Sequence, residues 1–305
     1  MKSLIKAVIL CVLFAIPACK NDKAALDQNG VPKTLIIAFF ASENPDQMRS
    51  TYGPVCKYLE GKLHLHVEMI LTTDYTGVIE ALKSKKVHMA YMGLFAYIIA
   101  TRAIPLNPVA IMGSDGKPGM YHSTIVVNKN SNLRSIADVK ANAKSLSLCF
   151  VDPASTSGHL IPRAYLTSIG LNPDNAFKQV VFAGSHFTSA LTVQSGKVDV
   201  GCVSDITTNR MIRKGMLKKD DLRVLWTSAP IVNSVIVARD DINKEFVKKV
   251  QDAYINMNRD APQIFEIYNK LVAQDTIKRS YIVAQDSFYN GLRNIANKIK
   301  NLKAD

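Results

Sequence analysis

The sequence predicts an α/β protein with two lobes, built on mostly parallel sheets and joined by two crossover hinge strands. Its 305 residues accommodate two domains of about 100–150 residues each. Short apolar runs alternate with segments of helical period in both halves of the chain, and a breaker-rich passage over 105–119 separates the halves. The predicted boundaries are 34–120 plus 239–305 for lobe 1 and 121–238 for lobe 2, with crossing strands near 120–128 and 232–238.

Lobe 1 begins with an apolar run, 34–40, that is typical of a buried strand. A helix follows, because Met48, Tyr52, Val55 and Leu59 recur at i, i+4, i+7 and i+11 and form one apolar stripe. The remaining predicted elements of this lobe are strands over 65–71 and 87–92, and helices after residues 74 and 93.

Lobe 2 repeats the alternation of strands and helices. The predicted strands are 124–127, 146–151, 180–182 and 198–203, with helices after residue 158 and over 189–193. A strand over 234–238 leads back to lobe 1, and helices over 243–258, over 261–273 and from about residue 286 close the chain.

Residues 152–158, the hydroxyl loop, follow the near-continuous apolar run 146–151 and precede an apolar face at helical spacing. Ser155, Thr156 and Ser157 supply hydroxyls at the positive end of the helix dipole, although capping a helix needs only one. This arrangement predicts a binding site for a phosphate-like anion.

The hydroxyl loop, read Asp-Pro-Ala-Ser-Thr-Ser-Gly, resembles the signature of the phosphonate, phosphite and phosphate-binding proteins of ABC transporters. Residues 92–97, 184–186 and 196–199 are also similar to that family, and the resemblance covers roughly residues 33–290. It implies a Venus-flytrap fold of the type II periplasmic-binding-protein class. It also implies a lipoprotein that captures an oxyanion between its lobes and delivers it to an ABC permease and ATPase.

The resemblance implies that the three loop hydroxyls and His186 hold the ligand oxygens, and that Tyr97 closes on the ligand from lobe 1. Tyr97 fits a buried helix face equally well. Asp205 follows a strand end, where it either faces a ligand ammonium or caps a helix. Tyr75 and Glu43 occupy loop positions expected to face the cleft.

The chain has Ala96 where the family often has a serine, so the choice among phosphate, phosphite and phosphonates stays open. A serine of the loop with His186 and Asp205 could form a hydrolase triad, but the Gly-x-Ser-x-Gly elbow is absent and no enzyme activity is predicted. A ligand-sensing ectodomain that works with a signalling partner is a further alternative.

Residues 1–18 have the order of an export signal, in which lysines precede an apolar core over 7–16. The following Ile16-Pro17-Ala18-Cys19 resembles the lipobox of bacterial lipoproteins, which implies a lipid on Cys19. Residues 19–33 are predicted to be a lipidated tether, because the segment 21–33 is polar and contains helix breakers. The protein is therefore expected in the cell envelope, periplasmic or at the cell surface, and anchored to the membrane.

The net charge of +13 suits an anionic ligand or membrane surface, and the scattered lysines do not favour nucleic acid. At 48% hydrophobic and 21% charged residues the composition is that of a globular protein. Cys56, Cys149 and Cys202 remain in the mature chain; the last two are either buried thiols or a disulfide. No cysteine or histidine spacing indicates a metal site, and no cofactor is predicted.

We expect a fatty-acid analogue to label the wild-type protein in cells and to leave a Cys19→Ala variant unlabelled, because the acyl chains attach at this cysteine. Gel fluorescence of the labelled protein measures the incorporation. Label that persists in the variant would contradict lipidation at Cys19.

Overall fold

The computed structural model describes residues 24–40, 45–266 and 279–298. The predicted export signal, Cys19 and Glu43 lie outside the described residues, as does part of the helix predicted over 261–273. Within the described ranges, the chain forms two α/β lobes, each built around its own sheet.

Lobe 1 and lobe 2 contain strands that alternate with helices along most of the chain. The strands are β1 (Thr34–Phe40), β2 (His66–Thr72), β3 (Met89–Met92), β4 (Leu106–Ser114), β5 (Lys117–Pro118), β6 (Met120–Tyr121), β7 (Ser123–Asn128), β8 (Ser147–Phe150), β9 (Gln179–Phe182), β10 (Val200–Ser204), β11 (Leu222–Thr227), β12 (Ile231–Val232), β13 (Val235–Arg239) and β14 (Arg279–Val283).

The helices cover the faces of the two sheets. They are α1 (Pro45–Leu63), α2 (Tyr75–Lys83), α3 (Leu94–Thr101), α4 (Ile136–Asn142), α5 (Ile161–Ser168), α6 (Pro173–Ala176), α7 (His186–Gln194), α8 (Asp205–Arg213), α9 (Lys244–Asp260) and α10 (Asn290–Lys298). In the part of the chain that the structure describes, no helix is long and apolar enough to cross a membrane.

The sheet of lobe 1 has the strand order β14-β4-β13-β3-β1-β2, with β5 paired to β4, and the sheet of lobe 2 has the order β11-β7-β10-β8-β9. Between the lobes, β6 and β12 pair antiparallel as a two-stranded ribbon. The chain therefore crosses between the lobes next to this ribbon, close to the positions that the sequence predicts for the hinge strands.

Both sheets are mixed rather than mostly parallel. In lobe 1, β1 pairs parallel with β2 and β3, whereas β13 pairs antiparallel with β3 and β4. In lobe 2, β10 pairs parallel with β8 and antiparallel with β7. The antiparallel pairs involve strands next to the crossings between the lobes, and these strands run opposite to the parallel strands of their sheet. The sequence pattern does not indicate this change of direction.

Two further expectations are corrected. The breaker-rich passage 105–119 contains β4, an inner strand of lobe 1, and β13 also belongs to the lobe 1 sheet. Residues 24–33, expected in the tether, lie against lobe 1: Ala24 is buried, and the Gly30 carbonyl accepts a hydrogen bond from the Asn243 N–H. Any tether within the predicted range is therefore shorter than the sequence suggests.

The cores form on both faces of each sheet. The apolar stripe of α1 is buried as its spacing predicts. Met48, Tyr52, Val55 and Leu59 pack in one core cluster with residues of the lobe 1 sheet. Cys56, Cys149 and Cys202 are buried free thiols, and burial raises the pKa of each. Cys149 and Cys202 thus contribute to packing as small apolar groups and not as a disulfide.

Candidate functional site

A cavity lies between the two lobes at the carboxyl ends of several strands, where ligands of α/β proteins commonly bind. Its non-protein space is about 650 Å³, including the part open to solvent, which suits a small ligand. The described residues that line it are Phe40, Tyr52, Tyr75, Tyr91, Gly93 and Arg279 from lobe 1, Tyr121, Asn233 and Ser234 near the ribbon, and Ser155, Thr156, Ser157, His186, Ser204, Ile206, Thr207 and Arg210 from lobe 2.

The hydroxyl loop enters its helix through a π turn, Thr156–Leu160, before α5 begins. The Leu160 N–H donates to the Ser155 carbonyl, five residues earlier, which widens this turn. Gly158 makes the close approach possible, because a Cβ there would lie 2.3 Å from a Val151 methyl carbon. The helix therefore begins near the predicted position, and its wide first turn holds the three hydroxyls inside the cavity.

Two hydrogen bonds connect the hydroxyl loop to lobe 1. The Tyr75 N–H at the start of α2 donates to Asp152 Oδ2 at 3.3 Å, and the Phe95 N–H in α3 donates to Thr156 Oγ1 at 2.9 Å. Asp152 Oδ1 also accepts from the Ala154 N–H at 2.7 Å. The loop thus belongs to lobe 2 in sequence, while its position is fixed by backbone donors of both lobes.

The hydroxyl oxygens of the loop serve as acceptors inside the protein. Ser155 Oγ accepts from the Gly158 N–H at 3.1 Å, and Thr156 Oγ1 accepts from lobe 1 as described. A hydroxyl has one proton and two lone pairs, so an oxygen that accepts from the protein keeps its proton for another acceptor. Both side chains can therefore donate to an anion in the cavity.

His186 is a neutral donor. Its Nδ1 lies 3.1 Å from the Ser204 N–H, which donates to it, so the single proton of the neutral ring is on Nε2. Burial lowers the pKa of His186 to about 4, so the ring stays neutral near pH 7. Nε2 lies 3.4 Å from Ser157 Oγ, beside the cavity. His186 can therefore donate one hydrogen bond through Nε2 near pH 7.

Two phenols border the hydroxyl loop. Tyr75 contacts the Ser155 side chain, and burial raises its pKa well above the usual value. Tyr121, on β6, contacts the side chains of Ser157 and Thr156, and burial raises its pKa to about 12. Both side chains therefore remain protonated at neutral pH and can donate hydrogen bonds.

The structure does not bring Tyr97 and Asp205 to the cavity. The Tyr97 hydroxyl donates to Asp286 Oδ1 at 2.6 Å, and its ring packs edge-on against Tyr289 near α10. The Asp205 carboxylate accepts from the backbone N–H and from Nδ1 of His122, each at 2.9 Å. Tyr97 thus lies on a buried helix face, which is the alternative that the sequence left open. Asp205 connects the start of α8 to His122, which lies between β6 and β7.

The predicted alternative of a hydrolase triad is not assembled. His186 Nδ1 accepts a backbone N–H, and Asp205, which would have to orient the ring, is bonded to His122. Within residues 24–40, 45–266 and 279–298, no group of three or more His, Cys, Asp or Glu side chains is arranged to hold a metal ion. The geometry thus lacks the base-orienting contact that a serine nucleophile needs.

Sequence reasoning missed several residues that line the cavity, among them Tyr121, Arg210 and Arg279. Tyr121 belongs to a two-residue strand that follows Gly119, and no local pattern distinguishes it. Arg210 lies one turn into α8 and is nine-tenths buried, an unusual burial for an amphipathic helix arginine. Arg279 is on β14, far along the chain from every other lining residue, so only the sheet pairing reveals its position.

A two-lobed α/β fold, with a small cavity between the lobes lined by hydroxyl, phenol, imidazole and guanidinium donors, defines a receptor for a small anion. The chain belongs to the family described as ABC transporter, phosphonate, periplasmic substrate-binding protein, which matches residues 37–289. This is a family of transport receptors and not of enzymes, so the predictions of the family and of no enzyme activity are confirmed. The predicted two-lobed α/β fold is confirmed as well, apart from the mixed sheets.

Individual relatives agree with this assignment. The chain is 32% identical over 257 residues to the phosphate-import protein PhnD of Mycolicibacterium smegmatis, covering 80% of this chain and 78% of the relative. It is 28% identical over 257 residues to the phosphonates-binding periplasmic protein of Escherichia coli, covering 84% and 75%. The crystal structure of a binding protein component of an ABC phosphonate transporter from Pseudomonas aeruginosa superimposes with a TM-score of 0.79 at 26% identity, covering 86% and 85%.

The buried histidines predict a loss of stability in mild acid. Burial lowers the pKa values of His159 and His186 to about 4 from the ordinary 6.5, so the unfolded chain binds these protons first as the pH falls. The free energy of unfolding should decrease from about pH 6.5 to about pH 4, by at most about 3 kcal/mol for each histidine. Urea unfolding at pH 7.0 and pH 4.5 measures this change.

A His186→Gln variant should lose less stability between these two pH values than the wild type, and His64→Asn, at an exposed position, should behave like the wild type. An equal loss in the His186→Gln variant and the wild type would show that His186 is not the group that titrates.

Tyr97→Phe should lower the free energy of unfolding by about 1 kcal/mol, because the hydrogen bond to the partly exposed Asp286 is lost. Ligand affinity should stay within about 2-fold of the wild type, since Tyr97 is outside the cavity lining. Calorimetric titration and urea unfolding provide the two measurements. A loss of affinity of 10-fold or more would show that Tyr97 contributes to ligand binding.

Proposed function

We propose that this protein captures a phosphonate, phosphite or phosphate ion in the cavity between its lobes and delivers it to the permease and ATPase of an ABC importer. The observation that carries the proposal is the hydroxyl loop, in which side-chain oxygens accept from the protein and leave their protons for a ligand. The donors assigned to the ligand are Ser155, Thr156 and Ser157 of the loop, His186 Nε2, and the phenols of Tyr75 and Tyr121.

Recognition by neutral donors suits an ion with several oxygens around one centre. The hydroxyls, the imidazole and the phenols converge on one cavity, and each donates a single proton near pH 7. A buried donor that is left unpaired costs about 1–3 kcal/mol, so a ligand with too few oxygens is penalised. A tetrahedral phosphorus oxyanion provides three or four acceptors and meets this requirement.

The location follows from the family, whose members are periplasmic proteins of importers. We assign the mature protein to the periplasmic side of the membrane, held there by a lipid on Cys19. The lipobox-like segment at residues 16–19 supports the anchor. A tethered receptor stays close to its permease, because the tether confines the receptor and raises its effective concentration there.

Ser157→Ala should weaken binding of phosphate and of methylphosphonate by roughly 10- to 150-fold, because charge-assisted hydrogen bonds contribute about 1.5–3 kcal/mol. Isothermal titration calorimetry on the purified protein gives the dissociation constants, and the recovered ligand should be chemically unchanged. Ser155→Ala and Thr156→Val should act in the same direction, with an added loss of stability, because both oxygens also accept bonds within the protein.

Ser195→Ala is the matched control, since Ser195 is exposed at the end of α7. Lys57→Ala and Lys248→Ala, at exposed positions, test general charge attraction and should leave the affinity nearly unchanged at physiological salt. If the lysine variants weaken binding as much as Ser157→Ala does, diffuse electrostatics and not the cavity accounts for anion binding.

A further inference from the structure

Arg279 brings a positive charge from lobe 1 into a cavity to which lobe 2 contributes Arg210 and the neutral donors of the hydroxyl loop and His186. It is the first residue of β14, where it pairs with Ser114 of β4 at the end of the sheet. Because Arg279 and the hydroxyl loop lie on different lobes, the two groups approach a bound ion from different sides. The guanidinium is therefore positioned for the part of the ligand that the loop hydroxyls do not contact.

One hydrogen-bond donor of the Arg279 side chain is buried and unsatisfied within the described part of the protein. Its Nε is buried and has no hydrogen-bond partner among the described residues, and none of their carboxylates forms a salt bridge with it. A buried N–H of a charged group without a partner is costly, and in native proteins such groups are almost always satisfied. A ligand oxygen in the cavity would satisfy it.

The described lining of the cavity contains Arg210 and Arg279 and no aspartate or glutamate. Asp205, the residue expected to face a ligand ammonium, is occupied by His122 and by the Ile206 N–H. A cationic substituent on the ligand would therefore approach the Arg279 guanidinium in a cavity whose described lining offers it no carboxylate. An aminoalkyl phosphonate fits this environment poorly.

We propose that Arg279 is a specificity-determining residue that selects phosphorus oxyanions whose fourth substituent itself carries acceptor oxygens. This inference rests on the proposed function and narrows its substrate class. Inorganic phosphate has a fourth oxygen, and a carboxyalkyl phosphonate has a carboxylate, so either can pair with the guanidinium. A methyl group leaves the guanidinium unpaired, and an aminoethyl group brings a like charge to it.

The wild-type protein tests the inference without any substitution. Calorimetric titration at pH 8 compares phosphate, phosphonoacetate, methylphosphonate and 2-aminoethylphosphonate. Phosphate and methylphosphonate form the matched pair, since they differ by one oxygen against one methyl group. We expect phosphate to bind at least 10-fold more tightly than methylphosphonate, and 2-aminoethylphosphonate to bind most weakly. Binding of methylphosphonate or 2-aminoethylphosphonate as tight as that of phosphate overturns the inference.

Arg279→Gln then identifies the residue responsible. Glutamine keeps a hydrogen-bond donor and removes the charge, so phosphate affinity should fall 10-fold or more while methylphosphonate affinity changes by less than about 3-fold. Arg134→Gln, at an exposed position in lobe 2, is the matched control for loss of one positive charge and should leave both affinities unchanged. Thermal unfolding of each variant verifies that it is folded.

The phosphonoacetate titration separates the two sources of acceptor oxygens. Tighter binding of phosphonoacetate than of phosphate assigns a carboxyalkyl phosphonate, and the reverse order assigns phosphate itself; both support the role of Arg279. Equal losses for phosphate and methylphosphonate in Arg279→Gln show a general charge effect and overturn the inference, while Ser157→Ala still tests the proposed function. Absence of binding by all four ligands to the wild type contradicts the proposed function itself.

Discussion

The backbone N–H groups of Tyr75 and Phe95, both on lobe 1, donate to Asp152 and Thr156 of the hydroxyl loop on lobe 2. Packing reinforces these bonds, because apolar residues on either side of the loop hydroxyls belong to the core cluster of lobe 1: Val151, Ala154 and Leu160. Burial raises the pKa of Asp152, and the N–H groups of Ala154 and Tyr75 oppose that rise. The rest of the site depends on this junction, since it fixes the position of the hydroxyl loop between the lobes.

Donors of the protein occupy one acceptor position on each of three side chains that line the cavity. Thr156 Oγ1 accepts from lobe 1, Ser155 Oγ accepts from Gly158 at the π turn, and His186 accepts a backbone N–H at Nδ1. In each case the protein supplies a donor, so the side chain keeps its own proton for another acceptor, such as a ligand in the cavity. The hydroxyl loop and His186 therefore contribute neutral donors whose acceptor positions are already occupied, an arrangement that needs no change of protonation near pH 7.

Local sequence patterns predicted those elements and residues whose position depends mainly on their neighbours in the chain. The first strand, the α1 stripe and the hydroxyl loop follow from composition and spacing, whereas the expectation of His186 in the cavity came from the family resemblance. The strand β4 was missed because its proline looks like a breaker. Pro108 lies where the register of β4 and β13 shifts, and an irregularity tolerates a residue without an N–H. The contribution of Arg279, and the turning of Tyr97 and Asp205 away from the cavity, depend on contacts between distant segments that no local pattern encodes.

Because the donors in the proposed function come from both lobes, the cavity would hold a ligand at full strength only while the lobes are together. Separation about the β6–β12 ribbon would withdraw Tyr75 and Arg279 from the ligand and would also break the bonds from lobe 1 to the hydroxyl loop. Charge-assisted bonds contribute about 1.5–3 kcal/mol each, so losing the two lobe 1 donors would weaken binding by roughly 100-fold or more. Under the proposed function, a transporter that holds the lobes apart would thus remove the same interactions that make capture selective.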